Sequence, residues 1–232
     1  MTYKHSKFTK IRMGNQLNKI LTIVIVTCTS LIFFSTTELA MAHHPMGGKI
    51  PANFWEGLIS GMGHPIIGID HLSFVVGVGL IAAGMSNSIL VLVSFLATAM
   101  LGTGIHLLSI DLPLTEIAIA ISVVALGAML AFKQKLNTPL VIIFAAISGI
   151  FHGYAYGEAI IGSEMTPLLA YLIGFTAMQL FIALFAMKSA ELVSSYWQNQ
   201  FFRLMSFFGL FISTIGLVFF TKAIFKRKKI II

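Results

Sequence analysis

Charged side chains are scarce in this chain. Asp, Glu, Lys and Arg make up 10% of its 232 residues, against 57% for apolar residues. That balance excludes a soluble surface, which calls for about a quarter charged residues. Cysteine is nearly absent too: the single thiol, Cys28, excludes a disulfide framework and a thiolate metal site. There is no HExxH pair to suggest a zinc hydrolase. Acidic residues number eight against fifteen basic ones, a formal charge of +7 that invites a nucleic-acid reading. The placement of the basic residues excludes it.

Five of them (Lys4, Lys7, Lys10, Arg12 and Lys19) precede an apolar run from Ile20 to Phe34, and Ala40-Met41-Ala42 follows with small residues. This is the pattern of a signal peptide over residues 1–42. Cleavage after Ala42 leaves ten basic and seven acidic residues, a net charge of about +3. Four of the ten form the terminal cluster Lys226-Arg227-Lys228-Lys229, in a tail over 226–232 suited to phospholipid headgroups.

The mature chain is expected to be an all-α polytopic membrane protein. A crossing needs about 20 mainly apolar residues, and six such spans can be laid down over residues 64–225. They run from about His64 to Gly84, Ser88 to Leu108, Pro113 to Phe132, Thr138 to Glu158, Thr166 to Met187, and Phe201 to Lys222. Residues 43–63 precede them as an extracytoplasmic segment with Phe54 and Trp55 at an interfacial lead-in. With the mature N-terminus outside, Lys133, Lys135, Lys188 and Arg203 fall inside, while Asp111, Glu158 and Glu164 fall outside. That obeys the positive-inside rule. The terminal basic cluster does not, since an even number of spans leaves it outside.

Ionisable groups inside a membrane are costly and usually line a pathway or a site. His64, Asp70 and His71 stand in the outer half of the first span, His152 in the outer half of the fourth, and His106 near the outer end of the second. On a straight helix His64 and His71 are roughly 10.5 Å apart along the axis. One metal ion, with bonds near 2 Å, cannot bridge them. A shared site therefore requires a break near Pro65 to Gly68; the alternative is two stations in series. His152 and Tyr156 share a helix face, and Gly153 and Gly157 form a small-residue stripe for close approach of another helix. The expected partner is span one, with its Gly68, Gly77 and Gly79. At the processed N-terminus, a free amine beside His43 and His44 could chelate a divalent transition metal, or the pair could be a solvated tail. Glu116 and Gln179 fit a polar pathway and interhelical hydrogen bonding equally well, and His106 taken alone fits a backbone-bonded histidine.

These motifs resemble the HupE/UreJ family of nickel and cobalt permeases. His64, Pro65, Gly68, Asp70 and His71 match its first-span signature HPxxGxDH. Phe151, His152, Gly153, Ala155 and Gly157 match the fourth-span signature, whose acid position falls to Glu158, with Glu164 as a second candidate. The resemblance implies uptake of nickel or cobalt as transported substrate, with no permanently bound cofactor, in a bacterial cytoplasmic membrane. His64, Asp70, His71, His152, Glu158, His43, His44 and His106 are then the candidate metal-binding residues. Gly68, Phe151, Gly153, Tyr156, Gly157 and Glu164 are candidates for the pathway or its packing. No GxxxxGK[ST] loop is present for ATP binding, so a secondary permease or facilitator is expected rather than an enzyme. A histidine motif opening each set of three spans also suggests a 3+3 inverted repeat. The rival reading is a membrane haem protein with paired histidine ligands, which leaves Asp70 and the acidic end of span four unexplained. Nickel versus cobalt, the coupling, and monomer versus homo-oligomer stay open.

Overall fold

The computed structural model describes residues 49–132 and 136–231. The expected signal peptide, His43 and His44, and the loop lysines Lys133 and Lys135 lie outside the described residues. Among the described residues seven α-helices follow one another: α1 Phe54–Ile67, α2 Ile69–Ala82, α3 Ser88–Leu107, α4 Thr115–Ala131, α5 Thr138–Gly157, α6 Met165–Tyr196 and α7 Gln198–Ile231. A 3-10 turn, Glu158–Ile160, continues α5.

Four of these helices (α3, α5 with its 3-10 turn, α6 and α7) are long and apolar enough to cross a membrane. A fifth crossing arises if α1 and α2, bent by 80° at their junction, count as one broken span. The remaining expected span, Pro113 to Phe132, is the 17-residue α4, about 25 Å long and shorter than a full crossing. An apolar core around Phe74, Val91 and Phe95 is joined by buried polar groups, while large apolar side chains also cover the outside. Ile89, Val93, Leu101, Ile143, Ile147, Ile173 and Phe181 are exposed, whereas Ser60, His64, Asp70, His71, Thr103, Ser122, Ser148, His152 and Gln179 are buried. Apolar faces outward and polar groups inward are what a lipid solvent selects.

Glycines fix which helices meet, because each close contact places a glycine against its neighbour's backbone. In α1, Gly57 meets Pro167 and Gly61 meets Tyr171 of α6. In α5, Gly149 meets Phe95 and Gly153 meets Ala99 of α3. Both pairs advance in the same direction, so α1 runs parallel to α6 and α3 parallel to α5. Gly127 against Gly209, and Gly216 against Val124, make α4 and α7 antiparallel. The short helix α2 fills the centre, with most of its residues buried.

The first crossing differs from the expected run of His64 to Gly84. The segment assigned to an interfacial lead-in is the body of α1, seated on α6 through Gly57 and Gly61. Three glycines and Ser60 lower its apolar content, which is why the apolar run in the sequence starts later. The stripe of Gly153 and Gly157 also packs against α3, not against the first span: Gly157 abuts His106 and Thr103. Gly77 instead meets Leu126 and Ile212, and Gly79 meets Ala183. Lys226 of the terminal cluster is ion-paired with Glu116 at 2.7 Å, so the far end of α7 lies beside the start of α4.

Candidate metal-cation site

The site begins with the break at Gly68. Pro65, in the last turn of α1, has no N–H to return to the helix. Gly68 then adopts an extended conformation (φ −74°, ψ 99°), and its N–H closes α1 onto the His64 carbonyl at 3.3 Å. The Leu72 N–H reaches the Gly68 carbonyl at 2.7 Å and starts α2 in a new direction. Asp70 stands in the first turn of α2, where its Oδ1 accepts the His71 N–H at 3.0 Å. A helix N-terminus leaves such donors unpaired and favours negative charge. A side chain at position 68 would collide with this arrangement: a Cβ there would sit 2.7 Å from His71 Cδ2.

The bend folds His64 and His71 toward each other, with ring centroids 6.1 Å apart. His152 of α5 joins them: its Nδ1 lies 2.9 Å from His71 Nδ1. All three rings are sealed, with at most 1% of each exposed, and Asp70 is 5% exposed. Tyr156, one turn after His152, packs its ring 4.9 Å from His64 and 4.6 Å from His71. Phe74 stacks on His152 at 4.2 Å.

Hydroxyl groups hold the outer nitrogens. Tyr171 of α6 lies 2.8 Å from His64 Nδ1 and donates its hydroxyl hydrogen to the Tyr156 carbonyl, also at 2.8 Å. Ser122 of α4 lies 2.9 Å from His152 Nε2 and donates to the Ile119 carbonyl at 2.7 Å. Thr103 of α3 donates to the Gly153 carbonyl at 2.8 Å, tying α3 to α5 one residue past His152. Six helices, α1 to α6, thus converge on one polar knot inside an apolar bundle.

The structure therefore brings together His64, Asp70, His71, His152 and Tyr156, with Gly68 at the break. It leaves the other candidates outside the knot. Glu158 and Glu164 are exposed, and Phe151 is half-buried. His106 packs on Tyr154 with ring centroids 4.2 Å apart, and its Nδ1 is buried without a hydrogen-bond partner among the described residues. That differs from the backbone-bonded histidine expected of it. Gln179 is fully buried beside Tyr156, while Glu116 is exposed in its pair with Lys226. Among the described residues, no three His, Cys, Asp or Glu side chains are grouped to hold one ion between them.

Ser122, Tyr171 and Thr103 were not foreseen. Their one signal is a hydroxyl in a strongly apolar helix, a common feature whose partner only tertiary packing reveals.

Residues 31–219 match the family model described as HupE / UreJ protein. The chain is similar to Protein HupE of Rhizobium leguminosarum bv. viciae, with 33% identity over 124 residues, 53% of this chain. The match spans 64% of that relative's length. No solved structure matches the chain.

Proposed function

The chain belongs to the HupE/UreJ family, and from that membership and the buried histidines we propose that it takes up a divalent transition-metal cation, nickel or cobalt. The observation that carries this reading is the break at Gly68, which turns two histidines seven residues apart into neighbours and sets them against His152. Four ionisable groups buried in one apolar bundle are expensive to keep without a use. Neutral imidazole is a good ligand for nickel, cobalt and neighbouring metals, and carboxylate accepts their charge.

In the mechanism we favour, His43 and His44 capture the ion outside, and His106, Glu158 and Glu164 stand along its approach. The histidine and Asp70 knot replaces part of its water shell before it moves inward. A transported ion must be held loosely enough to leave, so a few donors with water completing the shell suit it better than a closed cage. An inside-negative potential favours a divalent ion by about 4.6 kcal/mol per 100 mV, twice the single-charge figure. No nucleotide is needed.

The same reading places the chain in a bacterial cytoplasmic membrane as a six-crossing secondary permease or facilitator, its first crossing broken and its N-terminus outside after cleavage. The helix pairing supports an inverted repeat. An axis in the membrane plane that exchanges the two sets of three spans would map the parallel pair α3 and α5 onto the parallel pair α6 and α1. It would map the antiparallel pair α4 and α7 onto itself.

Of the histidine pairs a haem would need, His71 and His152 are bonded ring to ring at 2.9 Å, too close for a macrocycle between them, and the haem reading leaves Asp70 without a role. Accumulation of nickel and cobalt by cells expressing the chain tests the proposal, with His71→Ala and His152→Ala as controls. Uptake that both variants abolish is expected; equal uptake in all three would refute it.

A further inference from the structure

Three residues of α6 take hold of one side chain of the knot. Tyr171, Phe175 and Gln179 follow one another at intervals of four, so they share a face of α6, and all three are fully buried. The Tyr171 hydroxyl donates to the Tyr156 carbonyl at 2.8 Å, Phe175 packs on the Tyr156 ring with centroids 5.4 Å apart, and the Gln179 amide meets the Tyr156 hydroxyl. Eight residues of helix, about 12 Å, separate the first hold from the last. The ring between them lies against the histidines, 4.9 Å from His64 and 4.6 Å from His71.

The two ends of Tyr156 are held differently. Its carbonyl is part of α5 and is fixed by a short bond. Its hydroxyl and the Gln179 amide meet without reaching full hydrogen-bond geometry, with each other or with another partner among the described residues. So loose a contact opens at little cost, and the side chain can then swing about its fixed backbone. Burying an amide in an apolar helix is costly unless it has a polar group to meet, and here that group is the tyrosine. Beyond it the helix is apolar: the next buried residues of α6, Ala183 and Ala186, press directly on Gly79 of α2. Gln179 is thus the last buried polar side chain of α6 before its C-terminal end.

We propose that Gln179 is a positioning residue and Tyr156 the gate it latches: held at its hydroxyl, the ring closes the histidine knot toward the C-terminal end of α6, and it swings aside when the cation leaves in that direction. This rests on the uptake reading given above, in which that end faces inward, and adds the step that sets the rate of release. A tyrosine suits the role. Its ring covers His64 and His71 with apolar surface, while its hydroxyl supplies one polar handle. The latch is made by two side chains, so it opens by rotation about side-chain bonds.

The contact and the gate can be tested separately. In the full chain labelled with ¹⁵N-glutamine and freed of metal, the side-chain amide signal that Gln179→Met removes should move in Tyr156→Phe. Both substitutions nearly conserve volume, the kind of change a packed interior tolerates best, and each removes one half of the latch. In liposomes containing the purified protein, each should raise the maximal rate of nickel entry about 2- to 10-fold, the worth of one hydrogen-bonding contact. The half-saturation concentration should stay within about twofold, since the histidines are untouched. The double variant should be no faster than the faster single one, because either change alone opens the latch. An amide signal that ignores Tyr156→Phe, a maximal rate unchanged or lowered in either variant, a half-saturation that shifts as far as the rate, or rises that multiply in the double variant would each overturn the proposal. If the unaltered chain admits no nickel, the uptake reading fails, and the gate fails with it even where the amide signal moves.

Discussion

The imidazoles of His64 and His71 lie 6.1 Å apart, although seven residues of straight helix would separate them by roughly 10.5 Å along the axis. The 80° bend between α1 and α2 makes the difference. It is built from a proline that withholds a hydrogen bond and a glycine that leaves room for the His71 ring.

Gly68→Ala tests that room. The added methyl would stand 2.7 Å from His71 Cδ2, so the ring must leave its place against His152. The methyl meets a side chain and not backbone, so the fold should persist. Nickel uptake at low concentration is expected to fall at least about tenfold, while the thermal midpoint of the purified protein moves little. Unaltered uptake would mean the ring position is irrelevant.

A pair of glycines separates helix contact from mere helix membership. A Cβ at Gly153 would run into the Ala99 backbone, whereas one at Gly104 meets nothing within 4 Å. Gly153→Ala should therefore cost about 1–3 kcal/mol or more through overpacking. Gly104→Ala should be neutral or stabilising by up to about 1 kcal/mol, since alanine is the better helix residue. Thermal unfolding in detergent measures both, and equal shifts would count against the α3 and α5 contact.

Much of this was legible in the sequence. The apolar runs mark the helices, and the seven-residue spacing of His64 and His71 leaves either a break near Pro65 to Gly68 or two stations in series, of which the break is observed. His152 and Tyr156 do share the face turned to the site. The partner of the Gly153 and Gly157 stripe was misassigned, because glycines announce a close approach without saying to what. Helix α1 was hidden by its own Gly57, Gly61 and Gly63, which dilute the apolar signal while making its contact with α6 possible. Ser122 and Tyr171 could not be singled out, since a hydroxyl's partner on another helix leaves no trace in local pattern.

The ion pair between Lys226 and Glu116 is expected to matter little for stability. Its side chains are 67% and 60% exposed, and exposed pairs contribute at most about 1 kcal/mol. Lys226→Ala should leave the thermal midpoint within about 1 kcal/mol of the unaltered protein; a larger drop would give the terminal cluster a structural role.

The central claim is that a divalent cation crosses at the knot of His64, His71 and His152, driven by membrane potential. The direct measurement is nickel entry into liposomes containing the purified protein, followed by an indicator trapped inside, with and without an imposed inside-negative potential. The account predicts entry that requires the protein, speeds up with the potential, and is lost in His64→Ala and His71→Ala. Entry that is indifferent to both substitutions, or no entry under any potential, would contradict it.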